Sequence, residues 1–174
     1  MTMNNQHTNS MPGQHEEIHI ANEQLLPEVI RLLEEGHTVT IRLRGFSMRP
    51  FLEDNRDTAL LTQVKELRVN DPVLAEVMPR KYVLHRIISI NRGRVILRGD
   101  GNLTTEECLV SDIKGAVIGF YRKGRSKIDY VDGYKWRVYS WCWTRLYPLR
   151  RYLLFALHPH IPARFKKTKN NNTK

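Results

Sequence analysis

The spacing of apolar residues changes at Gly36, and this change constrains the fold more than any other feature. Before Gly36 they recur every three or four positions, as on one face of an amphipathic helix. The residues concerned are Leu25, Leu26, Val29, Ile30, Leu32 and Leu33. After Gly36 they alternate with polar residues, as in a strand with one buried face. We therefore predict a short N-terminal helix, with Pro27 in its first turn, that ends at Gly36 and packs on a β domain.

Several short β-like runs follow, and turn residues separate them. The runs cover residues 39–43, 58–62, 73–78, 82–90, 94–98 and 114–121. The turn at 91–93 predicts a hairpin that pairs Ile88 and Ile90 with Val95 and Leu97. Short strands at this spacing favour a mainly β fold with antiparallel strands.

The positive charge of the chain is concentrated in its last third. Residues 1–120 hold 14 Lys and Arg against 16 Asp and Glu, whereas residues 121–174 hold 14 against 2. Composition divides the chain into a polar lead-in at 1–17, a β domain with its helix at 18–130, an aromatic and basic helical extension at 131–163, and a basic tail at 164–174.

The lead-in and the cysteines bear on location and cofactors. Residues 1–17 contain no apolar run, so we predict neither an export signal nor an N-terminal anchor, and hence a cytoplasmic location. Cys108 and Cys142 lie far apart, without metal-ligand spacing around either. That pattern is typical of a reducing compartment rather than a disulfide framework, and we predict no metal or cofactor.

The extension interleaves aromatic and cationic residues and allows two interpretations. The residues are Trp136, Trp141, Trp143, Tyr147 and Tyr152 with Arg137, Arg145, Arg150 and Arg151. In one interpretation, residues 134–167 make peripheral contact with a membrane, with arginines on anionic headgroups and aromatic rings at the interface. In the other, the helices pack on the body and the cations form a solvated face. No recognised module accompanies the charge, which disfavours nucleic acid as a partner.

Ser47 lies where the first β run meets the segment Gly-Phe-Ser-Met-Arg-Pro. Gly45 permits an unusual backbone conformation, and Pro50 prevents the strand from continuing. A serine fixed on such a turn, with its own N–H available as an oxyanion donor, suits a nucleophile. An ordinary serine at a strand end would produce the same local pattern.

His85 and Arg86 interrupt an apolar strand. An imidazole with the ordinary pKa of about 6.5 can accept a proton from a hydroxyl at neutral pH, which suits a general base. The alternatives are an exposed His-Arg pair on an edge strand, or a histidine bonded to a loop carbonyl. Arg86, on the opposite face of the strand, is expected to bind a carboxylate rather than take part in chemistry.

Acidic residues follow the hairpin. Asp100 lies between Gly99 and Gly101, and Glu106 and Glu107 come soon after. A carboxylate close to a catalytic histidine orients the ring and stabilises the imidazolium. Without such a neighbour, the segment is a tight turn and nothing more.

Four motifs in this order resemble the signal peptidase I and SOS-repressor superfamily of serine peptidases. They lie within about residues 38–120 and read G-F-S-M-R-P with D-T-A-L-L, V-N-D-P-V-L-A-E-V, Y-V-L-H-R-I-I and I-L-R-G-D-G-N. The residue before Arg86 is histidine, as in the archaeal and endoplasmic-reticulum branch, where the bacterial branch has lysine.

The resemblance implies a signal-peptidase-type β fold and a set of site residues. Ser47 matches the nucleophile and His85 the general base, and the acid of the His-type branch falls at Glu106. Asp100 matches the aspartate of the Gly-Asp box and is the alternative third member. Gly45 stands where signal peptidases usually carry a hydroxyl residue, so an oxyanion hole would depend on the Ser47 N–H.

We therefore predict a serine endopeptidase that processes a peptide or leader sequence in trans, as a variant without the family's N-terminal anchor. A self-cleaving repressor fits less well, because the chain contains neither an Ala-Gly nor a Cys-Gly dipeptide. The competing class is a non-catalytic peptide- or membrane-binding module that keeps the peptidase fold.

Overall fold

The computed structural model describes residues 22–157 of the 174-residue chain, with side chains from Leu25 to Ala156. The predicted lead-in and basic tail lie outside these residues. The elements are α1 (Asn22–Glu34), β1 (Val39–Arg42), β2 (Thr58–Thr62), β3 (Pro72–Met78), β4 (Lys81–Asn91), β5 (Arg94–Arg98), β6 (Glu106–Leu109), β7 (Ile113–Tyr121), β8 (Ile128–Tyr130), α2 (Tyr134–Arg145) and α3 (Arg150–Leu157).

The strands form one curled half-barrel sheet in which every pairing is antiparallel, and this confirms the predicted mainly β fold. The order is β1-β2-β7-β3-β4-β5-β6, and β8 pairs with the end of β7. Strand β4, which carries His85 and Arg86, is therefore an inner strand. An exposed pair on an edge strand, one of the alternatives for these residues, is wrong.

The β4–β5 hairpin forms as predicted, with a different register on one side. Ile90 lies opposite Val95, but Leu97 lies opposite Ile87 rather than Ile88. The register shifts between Ile87 and Ser89, where a bulge accommodates the extra residue. The bulge preserves Ile87 as the buried partner of Leu97, and sequence alternation alone does not show it.

Helix α1 lies against the sheet through its apolar stripe. Val29 and Leu33 are buried, and Leu33 packs so close to Gly115 of β7 that a side chain there would meet it. Pro27 lies inside the helix rather than in its first turn, because the helix already includes Asn22.

Both faces of the central strands are covered. Strand β3 contributes Leu74 to one buried cluster, shared with α1, β1 and β2, and contributes Val73 and Ala75 to a second, shared with β4, β5 and β6. Successive side chains of a strand point to opposite faces, so β3 separates two cores. At β4 the same arrangement buries His85 and Arg86 on opposite sides.

The two C-terminal helices pack on the body with one face, as the second interpretation of the extension predicts. The ring of Trp136 lies 5.0 Å from that of Phe51 and 5.1 Å from that of Phe120, centroid to centroid. Trp136, Trp143 and Arg150 are buried, so grouping them with residues for a membrane interface was wrong. Among residues 22–157, no helix is both long and apolar enough to cross a bilayer.

Candidate active site

The turn that carries Ser47 is anchored on both sides. Met48 and Leu52 are buried in the first core, so the segment after the serine cannot move freely. Gly45 has a φ of 88°, which L side chains rarely adopt, and its N–H donates to the Asp54 carboxylate at 2.7 Å. The role that this structure gives Gly45 is to form the turn.

Asp57 fixes the far end of this turn from inside the protein. Its buried carboxylate accepts hydrogen bonds from the backbone N–H groups of Glu53 and Lys123, both at 2.9 Å, and from the Arg56 guanidinium. Burial alone would raise the pKa of Asp57, but these hydrogen bonds outweigh it and hold the pKa below its ordinary value. The charged carboxylate therefore joins the Ser47 turn to the end of the β7 region.

The loop at 99–102 packs directly against Ser47. The Gly101 N–H donates to the Ser47 carbonyl at 2.7 Å. A Cβ atom added at Gly99 would clash with that same carbonyl oxygen and lie 3.0 Å from His85 Nε2. Only glycine fits between them, and this close approach places the Nε2 side of the imidazole next to the Ser47 backbone.

The sheet register brings Glu106 to His85. Leu97 lies opposite both Ile87 and Glu106, so these three residues share a face with His85, which is two positions from Ile87. Glu106 Oε2 lies 3.0 Å from His85 Nδ1. The His85 side chain is 3% exposed and that of Glu106 is 26% exposed, so the pair lies at the edge of the pocket.

Burial sets the charge state of His85. Desolvation lowers the pKa of the imidazole below its ordinary value of 6.5, and the nearby Glu106 carboxylate opposes the shift without cancelling it. His85 is therefore neutral at neutral pH. A neutral imidazole that donates from Nδ1 to Glu106 has an unprotonated Nε2 that can accept a proton.

On the opposite side of β4, Arg86 binds Asp100. Two guanidinium nitrogens donate to the two carboxylate oxygens at 2.8 and 2.7 Å, and both side chains are at most 1% exposed. Burial disfavours the charge on Arg86, but the bonds with Asp100 outweigh it and raise the pKa of the guanidinium. This pair is a structural ion pair beneath the loop, as expected for Arg86.

Helix α2 completes the network around Asp100. The Tyr139 hydroxyl donates to the Asp100 carboxylate at 2.8 Å, and Trp143 Nε1 donates to the Asp100 carbonyl at 3.0 Å. Arg86 also donates to the Ser140 hydroxyl at 2.6 Å. We refer to Tyr139, Ser140 and Trp143 as the α2 clamp.

The α2 clamp was not predicted from the sequence. The signal that could have found it is the spacing of Trp136, Ser140 and Trp143, which puts all three on one face of a helix. The prediction treated all the aromatic residues of the extension as one set, so it did not distinguish the buried face of α2 from the exposed one.

A cavity of about 330 Å³ lies beside Ser47. Ser47, His85 and Glu106 line it together with Asn102. The apolar part of its wall comes from α1, β1, the Ser47 turn, β3 and β4, and includes Leu26, Ile41, Met48, Leu74, Tyr82 and Leu84. The cavity thus places three groups capable of acyl-transfer chemistry against a surface that suits an apolar side chain.

The structure separates the predicted site residues into two groups. Ser47, His85 and Glu106 line one cavity, whereas the Asp100 carboxylate faces Arg86 and Tyr139. In the described part of the chain, no hydrogen bond joins the Ser47 and His85 side chains.

Comparison with known proteins gives no relative from which to transfer a role. No family model, curated protein or solved structure matches the chain. Within residues 22–157, no group of three or more His, Cys, Asp or Glu residues could hold a metal ion.

Proposed function

We propose that the protein is a serine endopeptidase in which Ser47 is the nucleophile, His85 the general base and Glu106 the group that orients it. One observation carries the proposal: a carboxylate 3.0 Å from Nδ1 holds a buried, neutral histidine in the cavity that Ser47 lines. A ring that donates from Nδ1 to Glu106 presents an acceptor at Nε2, and the close approach at Gly99 places Nε2 next to the Ser47 backbone. The ordered motifs of the sequence resemble the same arrangement and support the proposal.

The mechanism follows from the orientation of the imidazole. Ser47 Oγ attacks the scissile carbonyl carbon while His85 Nε2 accepts the hydroxyl proton. The imidazolium then donates that proton to the departing amine as the carbon–nitrogen bond breaks, leaving an acyl-enzyme on Ser47. Water attacks the ester with His85 again as base, and the proton returns to Ser47. Glu106 stabilises the imidazolium in both halves of the reaction.

The Ser47 turn has few backbone donors available to stabilise the oxyanion. The Gly45 N–H already donates to Asp54, so the donor that we assign to the oxyanion on this turn is the Ser47 N–H. A single backbone donor contributes a moderate share of transition-state stabilisation. We therefore expect a slow peptidase that depends on substrate binding, in keeping with one dedicated peptide substrate.

The cavity wall indicates the substrate class. Its apolar residues suit an apolar side chain close to the scissile bond, on a peptide or leader sequence supplied in trans. The cytoplasm is the compartment that we propose, supported by the low number of cysteines in the sequence.

The test is cleavage of a peptide library by the wild-type protein and by Ser47→Ala, read by mass spectrometry. We expect wild type to cut a small set of peptides with an apolar residue near the cleaved bond, and Ser47→Ala to lose at least about 1,000-fold in rate. Ser111→Ala is the matched control, since this serine is exposed and lies outside the cavity.

A non-catalytic binding module predicts a different result. Wild type would then cut no peptide of the library, and Ser47→Ala would bind the same peptides as wild type. Cleavage that persists in Ser47→Ala would also contradict the proposal, because it would assign the activity to another group or to a contaminant.

A further inference from the structure

Helix α2 presents a second, outward stripe on the side opposite the body. The helical spacing of 134, 138, 141 and 145 places Tyr134, Val138, Trp141 and Arg145 on one line along the helix, about 180° from Trp136, Ser140 and Trp143. The inner residues are buried, whereas Tyr134 is 79% exposed and Trp141 is 59% exposed. Helix α2 therefore buries one face against the body and exposes large apolar side chains on the opposite face as well.

Helix α3 repeats this arrangement. Arg150 and Leu154 are buried, while Tyr152 is 72% exposed and Phe155 is 77% exposed. Leu146, Tyr147 and Leu149 of the connection between the helices are also exposed. We call the exposed residues of α2, α3 and their connection the outer aromatic surface. Single exposed apolar residues are ordinary, but a run of this length on consecutive elements indicates a binding surface.

The outer residues cannot be buried by a rotation of the helices. The α2 clamp joins the inner face of α2 to Arg86 and Asp100, and Arg150 donates to the Asn102 carbonyl at 3.4 Å from α3. Turning α2 would break these buried hydrogen bonds, which is costly because their partners would remain without hydrogen bonds away from water. The exposure is therefore built into the fold.

The charge around this surface has one sign. Between Asp132 and the last described residue, 157, the sequence contains five Lys and Arg residues and no Asp or Glu. Arg137, Arg145 and Arg151 are exposed, and the Arg145 guanidinium lies 4.8 Å from the Trp141 ring centroid. A cation beside an aromatic ring suits a boundary where anionic groups lie above an apolar layer.

We propose that the outer aromatic surface binds the surface of an anionic lipid membrane, with α2 and α3 lying along the interface. Arginines meet the lipid phosphates, while the aromatic and aliphatic side chains enter the region below them. Nucleic acid is the other anionic candidate, but the exposed aliphatic side chains of Val138 and Leu149 find an apolar environment in lipid and none on a phosphate backbone. This inference does not rest on the peptidase activity.

The test is co-sedimentation of the full chain with vesicles. Mixed phosphatidylcholine–phosphatidylglycerol vesicles are compared with pure phosphatidylcholine vesicles, at low and at high salt. We expect binding to the anionic vesicles, weaker binding at high salt and little binding to the neutral ones. The double variant Trp141→Ser/Phe155→Ser is expected to lose at least about tenfold in vesicle affinity, since it removes two exposed rings.

Two matched controls test whether vesicle binding depends on this surface or on exposed apolar and cationic residues anywhere on the protein. Val69→Ser/Leu109→Ser removes apolar groups of the body that are 50% and 52% exposed, and should bind vesicles as wild type does. Arg145→Gln/Arg151→Gln should lose roughly tenfold in affinity and have a weaker salt dependence. Arg92→Gln/Arg125→Gln, a pair of exposed cations outside the helices, should change binding little.

Several results would overturn the inference. They are absence of wild-type binding to anionic vesicles, equal binding to neutral vesicles, and loss in the control pairs as large as in the test pairs. Binding to a DNA duplex that the same variants abolish, without binding to vesicles, would assign the surface to nucleic acid instead. Circular dichroism of each variant checks that the fold is retained, and no measurement here uses catalysis.

Discussion

His85 and Arg86 are neighbours on β4, yet their environments are opposite in kind. His85 faces a cavity and pairs with Glu106, whose side chain is 26% exposed. Arg86 faces the α2 clamp and pairs with Asp100, whose side chain is 1% exposed. The first pair joins a carboxylate to an imidazole whose pKa burial lowers, whereas the second is a bidentate ion pair with the Arg86 guanidinium.

The difference shows that the two buried faces of one strand can provide two kinds of site, a cavity on one face and a closed network of hydrogen bonds on the other. The cavity side holds a buried imidazole against a partly exposed carboxylate. The clamp side is closed, and its hydrogen bonds to Asp100 hold the loop at 99–102 that lies against Ser47. The carboxylates of Asp100 and Glu106 are therefore distinguished by their partners, and variants of each should fail in different ways.

The largest expected effect on stability is that of Asp100→Asn. The substitution leaves the Arg86 guanidinium buried without its counter-charge, and breaking a buried ion pair in this way costs about 3–5 kcal/mol. Urea denaturation measures the loss. Glu107→Gln is the control, because its ion pair with Arg94 is exposed and is worth at most about 1 kcal/mol. Equal losses of unfolding free energy in the two variants would show that the buried ion pair of Asp100 stabilises the protein no more than the exposed pair of Glu107 does.

Glu106→Gln should damage activity and spare stability. Losing the orienting carboxylate is expected to lower kcat/KM by about 100- to 10,000-fold, with unfolding free energy changed by at most about 1 kcal/mol. Removing the charge also lowers the pKa of His85 further, so the acidic limb of the remaining activity should move to lower pH. Glu107→Gln again serves as control. A limb that stays in place would show that Glu106 does not act through the imidazole.

Tyr139→Phe tests the clamp without removing a charge. Asp100 keeps both bonds to Arg86 but loses the hydroxyl at 2.8 Å, so we expect a loss of about 1–2 kcal/mol in unfolding free energy. Tyr152→Phe removes an exposed hydroxyl from α3 and should stay within about 0.5 kcal/mol of wild type. If the two tyrosines behave alike in thermal and urea unfolding, α2 does not hold the loop.

The smallest expected effect is the pH dependence due to His85. Its pKa is lower in the folded protein than in the unfolded chain, so the unfolded state binds the proton more readily. Its contribution to stability is complete above about pH 6.5, the unfolded value, and decreases as pH falls towards the folded pKa. The acidic limb of kcat/KM should likewise have its midpoint below about 6.5.

Comparing wild type with His85→Gln isolates this contribution. The other titrating groups are common to both proteins, so the difference in unfolding free energy between about pH 5 and about pH 8 reports the imidazole. Wild type should lose stability relative to the variant as pH falls below about 6.5. A difference that does not change with pH would mean that His85 keeps the same pKa on folding.

Local patterns were sufficient for much of this architecture. Alternation located β2 and β5 within their observed bounds, since a strand with one buried face has a two-residue period. Strands β6 and β8 were missed, because Glu106–Leu109 and Ile128–Tyr130 are too short for such a period to develop. The bulge at Ile88 was also missed, because it depends on how β4 pairs with β5 and not on the local sequence.

The sequence by itself determined a mainly β chain with Ser47, His85 and either Glu106 or Asp100 as candidate site residues, because turns, strand periods and ordered motifs are local. Only the tertiary structure decided which carboxylate meets the imidazole, since the register of β4, β5 and β6 places Glu106 at His85 while Asp100 faces Arg86. It also divided the aromatic residues of the C-terminal helices into a buried clamp and an outer surface. Which of these side chains are buried depends on their neighbours in the folded protein, and composition does not reveal those neighbours.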